Sequence, residues 1–596
     1  MVETPDSKGL LGWQTAWDVG RQWLDVVAKS QSITAQFLSQ KVDASAFTPI
    51  VPDASLRAFS SLFESMLRDP TKLANAQADL WRRHGELFQH ILNKSRQSDS
   101  GGILPPVKDR RFKNDEWDKN LALHALMHSY LIGTNWLKTL VADQEHLSPL
   151  EKKNVAFFTN QFIDAVAPTN NPLTNPDVMK KTVESGGANL VAGFRNLLSD
   201  LASGAGHIRR ADDTAFELGR NIAATQGSVI LRTEMMELIQ YEPTTPKVGA
   251  IPLLLTPPWV NKYYLFDLQK KSSFIRWAVG EGFTVFAISW VNPDESHAKK
   301  DFENYWFEGP MAAFDAIEKI SGERHVNLFG YCLGGTLTAS GLAYLAAGED
   351  SRVTSATLVA TMTDFADFGD FEVFVTEEQV NAIEKYVGGK KYLDSSDLSR
   401  LFSLLRANDL IWSSAISSYL LAEGAVASDL LFWFSDGVGM PAKMLDTFMR
   451  RVILDNALIR PGALSFRDTP LDLQKIQTPL YFVSLKDDHV AAWESTYNGA
   501  RRFAAPKTFI LGGSGHNAGT INPPAAGKHG YWTNPEFGAT PEAWLSGAER
   551  HEGSWWTAWS SWLRGHSGRE VNAKSVAAGP LPILEAAPGS YARTRR

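Results

Sequence analysis

The chain has 596 residues, of which 44% are hydrophobic and 21% charged, so it is long enough for more than one globular domain. Its net charge of -7 excludes the basic field that non-specific binding of nucleic acid or anionic lipid requires. A single cysteine excludes an internal disulfide framework and cysteine-rich metal sites. Neither a secretory leader nor a run of about 18 apolar residues is visible, so we expect a cytoplasmic protein without a transmembrane helix.

Helical patterns dominate up to about residue 225. Residues 1–100 are predicted to form a variable helical segment, in which Trp13 and Trp17 belong to an amphipathic stretch. Such a stretch usually packs in a core, and the alternative is that it lies on a partner helix or an apolar particle. After a linker that begins near residue 94, residues 101–225 are predicted to form a helical N-terminal domain.

After residue 225 the sequence changes to short apolar runs that alternate with helical segments. AIPLLLTPP, FTVFAISWV, HVNLFGY, SATLVAT, PLYFVSL and KTFILGG are typical of parallel strands buried on both faces. We therefore predict an α/β fold with a catalytic domain over 226–565. Within it, 362–470 is too long for a crossover connection and reads as an inserted helical cap. The polar end, 566–596, is predicted to be a flexible tail.

The stretch HVNLFGYCLGGTLTAS joins a buried strand to a helix through a glycine-rich turn. In this context GxCxG corresponds to the GxSxG nucleophile elbow of α/β hydrolases, a strained turn that lifts its central side chain above the sheet. Cys332 is then the candidate nucleophile, and the backbone N–H of Leu333 is a candidate oxyanion donor. The alternative is a small buried cysteine without a catalytic role.

Two later strands end at the positions where such a site needs its acid and its histidine. PLYFVSL is followed by KDDHVAAW, and KTFILGG by SGHNAG, in the required chain order. His516 is the predicted base, whereas spacing alone does not choose between Asp487 and Asp488 as the acid. A second oxyanion donor is expected from the N–H of Val260 or Trp259, because the two prolines before them have no N–H.

A cysteine nucleophile narrows the chemistry. Attack on a thioester exchanges one thioester for another, so the acyl group stays activated. A hydroxyl acceptor deprotonated by His516 can then take it, provided that an apolar cap excludes water. The residues predict an acyltransferase that uses coenzyme A thioesters. Two alternatives remain: a cysteine thioesterase or dienelactone-hydrolase-like enzyme, and an inactive coat protein of apolar particles.

Beyond the elbow, the sequence resembles the polyhydroxyalkanoate synthases, the PhaC family, in several motifs over about 105–565. These are DRRFKNDEW, PPWVNKYYLFDL, GYCLGG, LKDDHVAAW, SGHNAGTINPP and GSWWTAWSSWL. Chain length and the GYCLGG form are similar to class I, single-subunit enzymes that make poly(3-hydroxybutyrate). The resemblance implies polymerisation of (R)-3-hydroxyacyl-CoA, such as 3-hydroxybutyryl-CoA, with release of CoA.

The resemblance also implies roles for individual residues. Cys332 carries the growing chain, and His516 acts on Cys332 and on the incoming 3-hydroxyl group. The family's acid directly precedes a histidine, which selects Asp488, followed by His489. His489 and the cap residue Trp433 are expected auxiliary residues. A homodimer at the surface of polyester granules is implied, with phasins as partners, no metal, and no cofactor beyond the CoA of substrate and product.

Overall fold

The computed structural model describes residues 52–95, 107–202, 211–212, 214–398, 411–424 and 426–595. The amphipathic stretch with Trp13 and Trp17 therefore lies outside the described residues. The described residues before 210 and between 400 and 426 form one compact unit, and the remaining described residues form a second unit. The division falls at 210 rather than at the predicted 225, because Ala211, Phe216 and Ile222 are already buried in the core of the second unit.

The first unit is helical, as predicted. Its helices are Pro52–Arg68, Pro70–Ser95, Glu116–Lys119, Leu121–Ala142, Pro149–Ala165, Pro176–Glu184, Ala188–Ala202 and Ser413–Ala415. Local sequence explains their ends: Ser148 and Glu151 form a capping box, with Pro149 at the first helical position. Asn189 donates to the carbonyl of Leu420 at 2.8 Å, so part of the predicted cap belongs to this unit. None of the helices in the described ranges combines the length and apolar character that a bilayer crossing demands.

The second unit is built on one large mixed sheet, and every predicted apolar run overlaps one of its strands. The strands are β1 Gly227–Arg232, β2 Met236–Tyr241, β3 Lys247–Gly249, β4 Leu253–Thr256, β5 Val285–Trp290, β6 Val326–Tyr331, β7 Val353–Val359, β8 Tyr392–Leu393, β9 Met440–Pro441, β10 Ser465–Phe466, β11 Thr469–Pro470, β12 Leu480–Leu485, β13 Lys507–Gly512, β14 Tyr531–Thr533, β15 Glu549–His551, β16 Glu570–Asn572 and β17 Glu585–Ala586.

Eleven of these strands share the sheet, in the order β15-β14-β13-β12-β7-β6-β4-β5-β2-β1-β17. The stretch from β13 to β5 is parallel, and antiparallel strands extend it on both sides. All residues of β6 and β12 are buried, which is why these strands read as continuous apolar runs. The chain runs from β4 to β5 on one side and places β6 on the other. The carboxyl ends of β4 and β6 thus flank a reversal of strand order, where α/β proteins bind ligands.

Helices alternate with the strands along the second unit. They are Phe274–Gly280, Phe302–Trp306, Ala312–Ser321, Leu333–Ala347, Glu377–Lys390, Asp429–Ser435, Ala442–Thr447, Trp493–Ala500, His516–Thr520, Pro541–Ser546, Trp555–Arg564 and Gly589–Arg593. The elbow helix, Leu333–Ala347, is buried on almost every side. Between β7 and β12 the described residues form short helices and the paired strands β8–β9 and β10–β11. We call residues 427–470 the cap segment.

The prediction of a flexible tail from residue 566 is wrong. Strand β16 pairs with β3, β17 pairs with β1 at the edge of the large sheet, and Gly589–Arg593 is helical. The backbone groups of this segment form hydrogen bonds with the edges of strands that are distant in sequence. These partners cannot be predicted from the polar composition of the segment.

Candidate active site

Cys332 occupies a strained turn between β6 and the elbow helix. Its φ of 52° and ψ of -124° lie outside the regions that non-glycine residues favour. The surroundings hold this conformation: the Cys332 N–H donates to the carbonyl of Val359 at 2.9 Å, and its own carbonyl accepts from the N–H groups of Gly335 and Thr336. The side chain is partly exposed. The predicted elbow geometry is therefore present.

Glycine at position 334 lets the elbow helix approach the loop after β4. A Cβ atom on Gly334 would lie 2.2 Å from the carbonyl oxygen of Thr256 and 2.6 Å from that of Pro257. Both contacts are with backbone, so a side chain cannot be accommodated by a rotamer change. The first turn of the helix and the loop after β4, which carries Val260, therefore lie in direct contact.

Gly334→Ala is expected to lower the free energy of unfolding by about 1–3 kcal/mol, because the new methyl group forces the two backbones apart. Gly388→Ala is the matched control, since a Cβ on that helical glycine meets nothing within 4 Å. It is expected to be neutral or to stabilise by up to about 1 kcal/mol. Urea unfolding of both variants measures the difference, and equal values would contradict the contact at Gly334.

His516 is paired with Asp488. The distance from His516 Nδ1 to Asp488 Oδ2 is 2.6 Å, and the Asp488 side chain is fully buried. The other carboxylate oxygen of Asp488 accepts from the N–H groups of Val490 and Ala491, at 2.8 Å and 2.9 Å. Asp487 is exposed. Of the two carboxylates that spacing left open, the structure thus places Asp488 against the imidazole.

The electrostatic setting of His516 favours the imidazolium. Burial lowers its pKa, but the charge of Asp488, the neighbouring Cys332 and hydrogen bonds to both side chains raise the pKa to about 10. The Tyr331 ring, 5.1 Å from the imidazole, contributes to the burial. The thiolate is the reactive form of a cysteine nucleophile. The structure therefore brings Cys332, His516 and Asp488 together. Their roles as nucleophile, base and orienting acid stay a prediction.

Two tryptophans that the sequence did not assign to the site hold the histidine in place. Trp555 and Trp556 are completely buried, and their indole N–H groups donate to the carbonyls of Gly519 and Thr520 at 2.9 Å each. Those carbonyls end the short helix His516–Thr520. The motif GSWWTAWSSWL contributed only to the family resemblance. Because a buried indole N–H needs a hydrogen-bond acceptor, the tryptophans of this motif could have been predicted to hold a neighbouring segment.

The predicted oxyanion donors, Leu333 and either Val260 or its neighbour Trp259, lie at the same edge of the sheet. Leu333 begins the elbow helix after β6, and Val260 lies in the loop after the neighbouring strand β4. The Val260 carbonyl accepts a hydrogen bond from the N–H of Val438 at 3.0 Å, which holds the loop after β4 against the cap segment. Their role as donors to an oxyanion stays a prediction.

The expected auxiliary residues occupy different environments. Trp433 is 2% exposed, and its indole N–H donates to the carbonyl of Lys262 at 2.7 Å. It therefore joins the helix Asp429–Ser435 to the loop after β4. His489 follows Asp488 directly and is half-buried. An auxiliary role in catalysis stays a prediction for both residues.

Comparison with known families agrees with this architecture. Residues 108–278 match the family described as the N-terminus of poly-beta-hydroxybutyrate polymerase (PhaC). Residues 259–523 match the family described as the alpha/beta hydrolase fold. The second match includes the elbow, Asp488 and His516. The predicted α/β-hydrolase fold is thus confirmed.

Similarity to individual proteins extends over nearly the whole chain. A poly(3-hydroxyalkanoate) polymerase subunit PhaC of Rhizobium meliloti is 37% identical over 100% of this chain and 96% of that protein. The poly(3-hydroxyalkanoate) polymerase of Methylorubrum extorquens is 38% identical over 91% of this chain and 90% of that protein. The polymerase subunit PhaC of Cupriavidus necator is 38% identical over 88% of this chain and 90% of that protein.

Proposed function

This chain belongs to the family of poly(3-hydroxyalkanoate) polymerases, and on that premise we propose that it converts (R)-3-hydroxyacyl-CoA into polyester with release of CoA. The observation that carries the proposal is the elbow cysteine next to a buried imidazole whose Nδ1 lies 2.6 Å from the buried carboxylate of Asp488. Length and the GYCLGG motif favour a class I enzyme that takes short substrates such as 3-hydroxybutyryl-CoA.

Loading is a thioester exchange on Cys332. The thiolate attacks the carbonyl carbon, so that a bond from carbon to Sγ forms and the bond from carbon to the CoA sulfur breaks. The departing CoA thiolate takes the proton of the His516 imidazolium. The negative charge on the carbonyl oxygen in the tetrahedral intermediate is stabilised by the N–H groups of Leu333 and Val260. His516 is then neutral and ready to act as a base.

Elongation uses that neutral imidazole. His516 removes the proton of the 3-hydroxyl group of an incoming hydroxyacyl-CoA, and the oxygen attacks the acyl-Cys332 carbonyl. The ester bond forms, the carbon–sulfur bond breaks, and the Cys332 thiolate and the His516 imidazolium are restored. Since the chain has one cysteine, the extended thioester must load onto Cys332 again within a single chain. The reaction balances with these side chains and the substrate, so we propose no cofactor beyond the CoA of the substrate.

The proposal extends to where the enzyme acts. An insoluble product leaves its polymerase at a water–polyester boundary, which supports action at the granule surface in the cytoplasm. The resemblance to class I synthases supports a homodimer and phasins as partners. The sequence around Trp13 and Trp17 has the amphipathic pattern of segments that bind apolar surfaces, which supports attachment of the enzyme to the granule.

Purified protein incubated with (R)-3-hydroxybutyryl-CoA tests the function. We expect CoA thiol in an amount equal to the monomer units recovered as insoluble polymer, and protein that sediments with that polymer. Free 3-hydroxybutyrate without polymer would make the chain a thioesterase instead. A folded protein that releases no CoA thiol from any 3-hydroxyacyl chain length would overturn the proposal.

A further inference from the structure

The C-terminal residues 587–595, which we call the C-terminal latch, meet a buried lysine next to the active-site loop. Lys262 is 2% exposed, and its ammonium group donates to the carbonyls of Tyr591 and Thr594, at 2.8 Å each. These carbonyls lie at the end of the helix Gly589–Arg593, where a cation is favoured. A buried ammonium needs such acceptors, so the latch and Lys262 stabilise each other.

A buried carboxylate in β2 holds the start of the latch. Glu237 is 0% exposed and accepts from the Tyr591 N–H at 3.0 Å and from the Ser590 hydroxyl at 3.2 Å. Gly589 has a φ of 83°, and a Cβ atom there would lie 2.2 Å from Glu237 Oε2. Docking therefore requires glycine at this position.

The far end of the latch contacts the cap segment. Arg595 Nε lies 3.8 Å from Asp436 Oδ1, and its guanidinium carbon lies 4.9 Å from the centre of the Phe432 ring. The hydroxyl of Tyr264, in the chain after β4, donates to the other oxygen of Asp436 at 2.7 Å. The latch thus links strand β2, the loop after β4 and the cap segment.

Lys262 connects these contacts to the site. It stands two residues after Val260, and its carbonyl accepts the indole N–H of Trp433. The triad is held by other contacts: the Cys332 N–H bonds to β7, and His516 lies on the helix that the buried tryptophans of Trp555–Arg564 hold. Release of the latch therefore removes a support of the Val260 loop and leaves those contacts in place.

We propose that the C-terminal latch is a positioning element for acyl transfer, and that Lys262 is the positioning residue through which it holds the Val260 N–H at the site of the oxyanion. This inference rests on the proposed function. Thioester attack develops an oxyanion and requires that alignment, because a displacement of about 1 Å can cost roughly 100-fold in rate. Alkylation of the thiol develops no oxyanion, so it does not require that alignment.

Two variants release the latch from opposite sides: Lys262→Met removes the ammonium group, and Gly589→Val prevents docking on Glu237. The control is Lys247→Met, an exposed lysine of β3 near Glu570. For both latch variants we expect kcat for CoA release to fall about 10- to 100-fold with KM nearly unchanged, and trypsin to cleave faster after Arg593. Alkylation of Cys332 by iodoacetamide should stay within about twofold of wild type, and the control should match wild type throughout.

The other outcomes decide against the inference or against the proposed function on which it rests. Unchanged kcat in variants that trypsin cleaves faster after Arg593 would show that the latch does not position the loop. A parallel loss of alkylation and kcat would indicate general damage to the unit. A defect in Lys262→Met without one in Gly589→Val would assign the effect to local packing around Lys262. Absence of CoA release by the wild type, with a reactive Cys332, would instead reject the proposed function.

Discussion

Replacing Cys332 with alanine is expected to abolish both CoA release and polymer formation, with a loss of at least ~10⁴-fold in kcat. The thiolate is the only nucleophile in the proposed loading step, and alanine has no atom that can carry the acyl group. The substitution removes one sulfur atom from a partly exposed position, so the fold is expected to persist. CoA thiol release and sedimented polymer, measured with (R)-3-hydroxybutyryl-CoA, give the two readouts.

Cys332→Ser is the informative companion. It keeps a nucleophilic atom on the elbow, but a hydroxyl is far harder to ionise than a thiol, and the acyl group would be held as an oxygen ester instead of a thioester. We expect an acyl-enzyme that forms slowly and does not elongate. Polymer formed by Cys332→Ala at more than a trace of the wild-type rate, from protein with wild-type thermal unfolding, would refute a covalent role for this residue.

The second large effect is expected from Asp488→Asn, with Asp487→Asn as its control. Asp488 contacts the imidazole and Asp487 is exposed, so two adjacent carboxylates differ only in where they point. Loss of the Asp488 charge removes the strongest influence that raises the pKa of His516. An orienting aspartate replaced by its amide costs about 10⁴-fold in kcat in comparable triads. We expect a loss of about 10³- to 10⁴-fold for Asp488→Asn and wild-type activity for Asp487→Asn.

The pH dependence of thiol alkylation separates this electrostatic role from a structural one. In the wild type the pKa of His516 is raised from 6.5 to about 10, so the imidazolium persists through neutral pH, and we expect alkylation to be fast there. In Asp488→Asn the imidazolium is lost at lower pH, so we expect alkylation near neutral pH to be slower than in the wild type. Superimposable profiles of the two proteins would show that Asp488 does not control the charge of His516.

The same pKa shift has a consequence for stability. A raised pKa in the folded state means that protonation of His516 favours folding. This contribution is fully present below the ordinary histidine pKa of 6.5 and is lost as the pH rises toward about 10. The stability difference between wild type and Asp488→Asn is therefore expected to narrow as the pH increases over that range. Urea unfolding at several pH values measures it.

Local pattern was sufficient for the framework of the site. Short-range preferences alone specify its strand, turn and helix. The apolar run HVNLFGY predicts the strand, the glycines around Cys332 predict the turn, and the residues after them have a helical pattern. Chain order then predicted that an acid and His516 would follow later strands. These predictions were possible because a parallel strand that is buried on both faces has a continuous apolar sequence, which can be recognised in each strand separately.

Contacts between distant segments decided the rest. Spacing could not choose between Asp487 and Asp488, because only the turn after β12 determines which carboxylate points inward. Residues 566–595 read as a flexible tail, yet they dock on strand edges and on two buried charged side chains, Glu237 and Lys262. Residues 411–424 read as cap and belong to the helical unit.

By itself, then, the sequence determined the α/β fold, the elbow at Cys332 and the chain order of its partners, since these follow from local periodicity and turn chemistry. Only the tertiary structure decided which carboxylate faces His516, that Trp555 and Trp556 hold its helix, and that the chain's end closes against Lys262. The physical reason is that hydrogen bonds and buried charges are satisfied by partners far away in sequence, and composition carries no record of those partners.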